Sequence, residues 1–295
     1  MASDARARDG FAGVLALKAI PALSQAHPDD LIALALRCSE RRFPAGARLA
    51  PTADEPSSFF LVEGRVLEQR VSGEPAALEA PALAGTLAVL AGEEPELIAA
   101  SEGVALEIGR AALLEVLEDE FELWVALLRH VCRTALEAAA QPSGWEPRSR
   151  ERMLLSEPPD LAERLLLLRR IVPFAGLPVA LLGQLACELE TVTAARGSVL
   201  WEAGDPATHM LAIGSGGVTV EPRAPARARR HGPGALVGLA ETLGAEAYGF
   251  RLRAAGPLRA LRLDGEALVD ALEDDPASAV ELLRALARHL RGTTP

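Results

Sequence analysis

The sequence contains two copies of one unit, and this internal repeat limits the possible folds more than any other feature. Residues 113–131 align with the first part of 268–290 at a constant offset of 155, so that Leu-Glu-Asp-Glu at 117–120 matches Leu-Glu-Asp-Asp at 272–275. Upstream, residues 43–66 align with 194–218 at offsets of 151 to 152. Because order and spacing hold over more than 100 residues, two domains of the same fold are predicted.

Each copy shows the same succession of patterns. A helical segment opens it, as in residues 28–38, where apolar side chains recur at helical spacing. Short segments follow with turn residues at about eight- to twelve-residue spacing, which is typical of an all-β sandwich. An amphipathic helix closes the copy. The predicted boundaries are 11–137 for the first domain, 138–163 for a linker rich in Pro, Ser and charge, and 164–292 for the second domain.

Composition and charge exclude several classes of function. The formal net charge of −11 argues against a protein that coats DNA or an anionic membrane. No stretch of about 20 uninterrupted apolar residues is present, and the N-terminal segment does not fit a secretory signal. The three scattered cysteines fit reduced thiols. We therefore expect a cytoplasmic protein, and the single lysine with no asparagine suggests a GC-rich bacterial source.

Two segments of the second copy carry a resemblance to a known family. Residues 197–220 read Gly, Leu, Gly-Asp and then an apolar strand that enters a glycine turn, and residues 232–244 read GPGALVGLAETLG. This order resembles the cyclic-nucleotide-binding domain of cAMP-responsive bacterial regulators and kinase regulatory subunits. The resemblance implies a mainly β fold: two tandem jelly rolls of eight strands, each with N-terminal and C-terminal helices. Only five residues follow Leu290, so a helix-turn-helix and direct DNA recognition are not expected.

The phosphate-binding cassette of that family has lost its charged residues in both copies. The resemblance implies a Gly-Glu pair that opens a short helix and an Arg about nine residues later, which together with the helix amides hold the phosphate. The corresponding residues are Gly238, Leu239 and Tyr248 in the second copy and Gly85, Thr86 and Glu94 in the first. All four charged contacts are missing, so ordinary cyclic-nucleotide binding is predicted to be lost.

Substitutes for those contacts are available in the second copy. Glu241 lies close to the start of the cassette helix, and Arg251 or Arg253 lies on the strand after it. Strand alternation favours the other reading, in which the apolar neighbours of the two arginines face the core and both arginines face solvent. Tyr248 either plugs the vacated pocket, which is favoured, or stacks on a different planar ligand.

A basic segment distinguishes the second copy from the first. It contains Arg223, Arg227, Arg229 and Arg230 between two predicted strands, whereas the first copy has no such charge there. It is either a solvated loop or a docking loop for an acidic partner protein, because Arg is enriched at interfaces. The linker residue Trp145 is predicted to be a packing anchor, with an exposed partner contact as the alternative.

These observations favour a non-catalytic protein. The five histidines lack metal-ligand spacing, and no nucleophilic triad, phosphate-binding Walker loop or carboxylate pair stands out. We therefore expect no enzyme activity, cofactor or metal, and a regulatory or scaffold protein that acts through protein–protein interaction. The partner is unidentified, and homo-oligomerisation is open. The alternative is a small-molecule or nucleotide sensor with a remodelled pocket.

Overall fold

The computed structural model describes residues 12–51, 54–69, 74–138, 145, 156, 158–222 and 227–292. Contacts divide the chain into two compact units, one of Met1–Leu127 with Leu283–Pro295 and one of Leu128–Leu282. This division falls inside two long helices, whereas the predicted boundaries at 137 and 164 follow the sequence repeat. The predicted boundaries therefore stay a prediction.

The first unit is a sandwich of two antiparallel sheets, ordered β1-β7-β2-β5 and β4-β3-β6. Both sheets contribute to one core, to which β2 supplies Phe59 and β3 supplies Val66. The helices are α1 (residues 12–19), α2 (Pro28–Leu36), α3 (Thr86–Ala91), α4 (Arg110–Asp119) and α5 (Phe121–Ala138). The strands are β1 (Ser39–Phe43), β2 (Ser57–Glu63), β3 (Arg65–Glu68), β4 (Ala76–Glu79), β5 (Ala82–Ala84), β6 (Leu97–Ala99) and β7 (Gly103–Gly109).

The second unit has the same order of elements with one further strand, and its sheets are ordered β13-β10-β15-β8 and β12-β11-β14-β9. The predicted eight strands are therefore described in the second unit and seven in the first, where an isolated bridge at Arg48 takes the place of β9. The helices are α6 (Leu161–Arg170), α7 (Val179–Glu188), α8 (Leu239–Gly244), α9 (Gly265–Glu273) and α10 (Pro276–Leu290). The strands are β8 (Glu190–Ala194), β9 (Val199–Trp201), β10 (His209–Ser215), β11 (Val218–Pro222), β12 (Arg229–His231), β13 (Leu236–Val237), β14 (Phe250–Ala254) and β15 (Leu258–Asp264). Single-turn 3₁₀ helices at Pro21–Leu23 and Val172–Phe174 occupy matching places in the two units.

The matching elements confirm the predicted fold. From β2 to β10 the start moves from residue 57 to 209, an offset of 152, and from α3 to α8 from 86 to 239, an offset of 153. From α4 to α9 it moves from 110 to 265, which is the offset of 155 seen in the sequence. The chain is thus mainly β, with two jelly-roll units flanked by helices. None of the described helices is long and apolar enough to span a membrane.

Two local interactions, at Asp160 and at Trp145, fix segments of the second unit in place. Asp160 begins α6 with a reciprocal capping box, in which Glu163 closes back onto the Asp160 backbone. Trp145 forms two backbone hydrogen bonds with Leu236, at 2.8 and 3.0 Å, and its side chain is buried. These bonds place Trp145 beside β13, the strand that leads directly into the turn before α8.

Candidate functional site

The turn between β13 and α8 is built on Gly238. This residue caps the helix with a φ of 94°, a left-handed conformation that glycine adopts without steric cost. A Cβ atom there would lie 3.3 Å from the indole tip of Trp201 and 3.3 Å from the carbonyl oxygen of His209. Leu239, the first residue of the helix, is only 1% exposed. The turn before α8 is therefore packed against the indole of Trp201, and the helix itself begins with the buried side chain of Leu239.

An aromatic stack lies at this turn. The rings of Trp201 and Tyr248 are parallel to within 10°, with centroids 4.1 Å apart, and Phe250 packs against both. All three side chains belong to the buried core of the unit. Offset stacking of this kind stabilises an aromatic pair by about 0.5–1.5 kcal/mol beyond the burial of its area. Tyr248 thus lies in the core, stacked on a tryptophan that the cassette comparison did not include.

The hydroxyl group of Tyr248 fixes the ring in this position. It donates a hydrogen bond to the carbonyl oxygen of His209, and the His209 amide donates to the hydroxyl oxygen at 3.3 Å. Burial raises the pKa of the Tyr248 phenol to about 12. The phenol is therefore neutral at physiological pH and cannot supply the positive charge of the arginine expected at this position.

Glu241 is buried on α8 rather than directed at a ligand. Its side chain is 3% exposed, and burial raises the pKa of the carboxyl to about 7. Burial raises the pKa of the Cys132 thiol in α5 to about 12, and the negative charge of Glu241 raises it as well. A glutamate that accepts a hydrogen bond from a sugar hydroxyl needs an open approach, which this one lacks.

Arg251 does not replace the missing arginine. Phe250 and Leu252 of β14 are buried, and Arg251 and Arg253 between them point to the other side of the sheet. The Arg251 guanidinium pairs with Glu202 at 2.6 Å, and Arg253 pairs with Glu221 at 3.2 Å. Both cations are thus neutralised on the outer face.

The first unit closes its cassette differently. Gly85 has a φ of 76° and caps α3, and a Cβ atom there would lie 2.8 Å from the ring of Pro95. The hydroxyl of Thr86 is hydrogen-bonded to the Ser58 hydroxyl at 2.6 Å, and both side chains are buried. The residue in the expected glutamate position therefore serves the packing of α3 on β2.

A carboxylate does lie near the start of α3, but it is Glu68 rather than Glu94. The Gly85 amide donates a hydrogen bond to the Glu68 carboxylate at 3.2 Å. Glu94 is exposed in the segment between α3 and β6. An internal carboxylate thus accepts a hydrogen bond from the residue that caps α3, where the helix dipole favours negative charge.

The basic segment includes an edge strand. Arg229 and Arg230 lie on β12, and Arg227 lies just before it, with all three side chains exposed. Arg223 lies outside the described residues. The structure thus brings together Gly238, Leu239, Glu241 and Tyr248 around α8 and keeps the basic residues on a separate strand.

Sequence reasoning missed two residues that decide the state of the cassettes, Trp201 and Glu68. Trp201 ends β9 in a buried position, and the alternation of its strand was the only local signal. Glu68 ends β3, and the sequence around it gives no sign that it reaches Gly85, which is 17 residues away.

Comparison with known proteins identifies the family. Residues 191–275 match the family described as the cyclic nucleotide-binding domain. The chain therefore belongs, through its second unit, to the cyclic-nucleotide-binding domain family. No curated protein matches the chain. The family supports a regulatory rather than a catalytic role.

Several solved structures are similar to the chain. The N-terminal domain of a transcriptional regulator from Streptomyces coelicolor A3(2) is 31% identical, over 43% of this chain and 94% of that chain, with a TM-score of 0.38. The regulatory domain of Toxoplasma gondii PKA with cAMP is 14% identical, over 91% and 96%, with a TM-score of 0.34. The regulatory subunit of a cAMP-independent protein kinase A from Trypanosoma cruzi, bound to guanosine, is 13% identical, over 91% and 89%, with a TM-score of 0.34.

Proposed function

We propose that the chain is a non-catalytic regulatory or scaffold protein, built from two degenerate cyclic-nucleotide-binding-like units and acting through protein–protein interaction. One observation carries the proposal: Tyr248, which stands where the resemblance implies the phosphate-binding arginine, is buried and stacked on Trp201. A cytoplasmic location, a bacterial source and homo-oligomerisation stay predictions.

Electrostatics supports the loss of cyclic-nucleotide binding. A buried phosphate without a cation costs several kcal/mol to desolvate. The nearest candidate cation in sequence, Arg251, points away from the core and pairs with Glu202. In the first unit, the Glu68 carboxylate would repel a phosphate at the Gly85 amide. At the aligned positions, neither cassette supplies the glutamate and arginine that the resemblance implies.

The pKa values of two thiols are consistent with the non-catalytic role that is proposed. Burial raises the pKa of the Cys38 and Cys132 thiols to about 12, which keeps both as unreactive thiols. The proposal therefore assigns function to surfaces rather than to a reaction centre.

Thermal unfolding with cAMP, cGMP and cyclic dinucleotides at millimolar concentration tests the proposal. A ligand well above its dissociation constant raises the unfolding midpoint by mass action. We expect no shift with any of them. A reproducible rise with one cyclic nucleotide would refute the proposal, because it would require charged contacts that the cassettes do not have.

One observation favours the second candidate function, a sensor of a less charged planar ligand. The indole N–H of Trp201 is buried and has no hydrogen-bond partner among the described residues. A ligand that displaced Tyr248 could stack its flat ring on this indole, while a group outside the plane of that ring, such as a ribose hydroxyl, accepts the indole hydrogen. Adenosine and guanosine in the same thermal assay test this candidate. It predicts a shift that Tyr248→Phe alters, while the first proposal predicts none.

A further inference from the structure

Strand β12 forms an edge of the second unit. In the sheet order β12-β11-β14-β9 it pairs only with β11, in antiparallel register over Val218–Val220. Within the described part of the chain, no second strand pairs with its other side. The outward backbone groups of such a strand can accept another extended chain.

Two consecutive arginines on this edge lie on opposite faces of the sheet. Arg229 is in register with Val220, which is buried in the core, and Arg230 is in register with Thr219, which is not. Successive side chains of a strand point to opposite faces. A ligand on one face could reach only one of them, whereas a segment lying along the edge could reach both.

The charges of these arginines are available for a partner. Across the described residues, no carboxylate pairs with Arg227, Arg229 or Arg230. Arg251 and Arg253 on the neighbouring strand are, by contrast, paired with glutamates. The matching edge strand β4 of the first unit carries no cation and ends in a glutamate. The unpaired basic edge is thus a property of the second unit.

We propose that the β12 edge docks an acidic, extended segment of a partner protein. Carboxylates of the segment pair with the arginines on both faces, and its backbone adds to the sheet as a further strand. The inference rests on the proposed function, since it names the partner chemistry and the surface of that protein–protein interaction. Charged side chains on an edge also prevent self-association, a role that needs no partner.

Fluorescence anisotropy with a labelled peptide of alternating glutamate and valine tests the inference on the full chain. A second peptide of the same sequence carries N-methyl groups on alternate amides, so that it keeps its charge but cannot pair with an edge. We expect the plain peptide to bind more tightly than the methylated one. Reversal of charge by Arg229→Glu with Arg230→Glu should weaken it at least about tenfold, since it replaces attraction by repulsion.

Arg42→Glu provides a matched control for Arg230→Glu alone, since each changes the net charge by about two units. Arg42 also lies on an edge strand, β1, with a side chain that is 82% exposed, but Glu40 pairs with it at 3.1 Å. This substitution should leave peptide binding unchanged. Equal weakening by Arg42→Glu would overturn the inference, because net charge alone would then control binding.

Three other outcomes would also overturn it. Equal affinity for the methylated peptide would mean attraction by charge without edge pairing. Tighter binding of a single-stranded oligonucleotide of equal charge would identify a nucleic-acid surface instead. Self-association of the double variant with no change in peptide affinity would identify a protective edge. The result of thermal unfolding with cyclic nucleotides does not depend on the result of the peptide-binding assay. The proposed function and the β12 inference can therefore be refuted separately.

Discussion

Substitution of Glu241 by Gln should remove a pH dependence from the stability of the second unit. The Glu241 side chain is 3% exposed, and burial raises the pKa of its carboxyl from the ordinary 4.5 to about 7. Burial has this effect because it removes water from the charged form without providing an equivalent partner. Gln keeps the shape of the side chain and has no proton to lose.

The sign and size of the effect follow from the two pKa values. Between pH 4.5 and about 7 the folded state holds a proton that the unfolded state has released, so stability falls as pH rises. The difference of 7 − 4.5 = 2.5 in pKa, at about 1.4 kcal/mol per unit, gives a loss of about 3–4 kcal/mol. The variant should therefore gain stability relative to the parent as pH rises, and the gain should level off above about pH 8.

Urea unfolding at several pH values, followed by tryptophan fluorescence, measures this difference. Trp124→Phe in both proteins leaves Trp145 and Trp201 as reporters, and both lie in the second unit. Glu246→Gln removes an exposed carboxyl near the end of the same helix and serves as the control. A stability difference between variant and parent that is constant from pH 4.5 to 8 would refute the reasoning, because it would mean that the carboxyl titrates alike in both states.

Three further predictions concern the closed cassettes, each measured by urea unfolding. Tyr248→Phe should cost about 1 kcal/mol by removing the buried hydroxyl from its carbonyl partner, and no loss would mean that the bond is not formed. Gly238→Ala should cost at least about 1–2 kcal/mol because of its φ of 94°, whereas Gly249→Ala, with open space for a Cβ, should change stability by less than about 0.5 kcal/mol. Ser58→Ala and Thr86→Val should each cost about 1–3 kcal/mol, and the double variant should cost less than their sum, since each single change leaves a buried hydroxyl unpaired. Additive losses would contradict that coupling.

The order of elements could be predicted because it depends on short-range patterns that occur twice. Glycine turns, strand alternation and amphipathic helices each act within about ten residues, and the repeat tests every assignment a second time. Alternation on β14 likewise predicted a buried Phe250 beside an outward Arg251, as the structure has them. The boundaries between the two compact units, which lie inside α5 and α10, had no such local signal. They depend on which elements each part of those helices packs against.

The closure of the cassettes could not be predicted in full because it depends on long-range packing. Trp201 and Tyr248 are 47 residues apart and meet only when β9 and β14 pair in antiparallel register. A cassette comparison shows which residue is missing, but not which side chain fills its place. The same holds for Glu68 and Gly85. Glu68 ends β3 and Gly85 follows β5, and these two strands belong to different sheets, so the hydrogen bond forms only when the sandwich is assembled.

The turns before the two cassette helices are packed by different chemistry in the two units, and this difference bears on the proposed function. In the first unit the Glu68 carboxylate accepts a hydrogen bond from the amide of Gly85. In the second unit a neutral aromatic stack lies at the turn, and Gly238 leaves room for the indole of Trp201. Under the proposed function, both units act through their surfaces without a ligand. Among the described residues, the second unit presents such a surface at β12, where the exposed arginines have no carboxylate partner, whereas the matching strand β4 carries no cation.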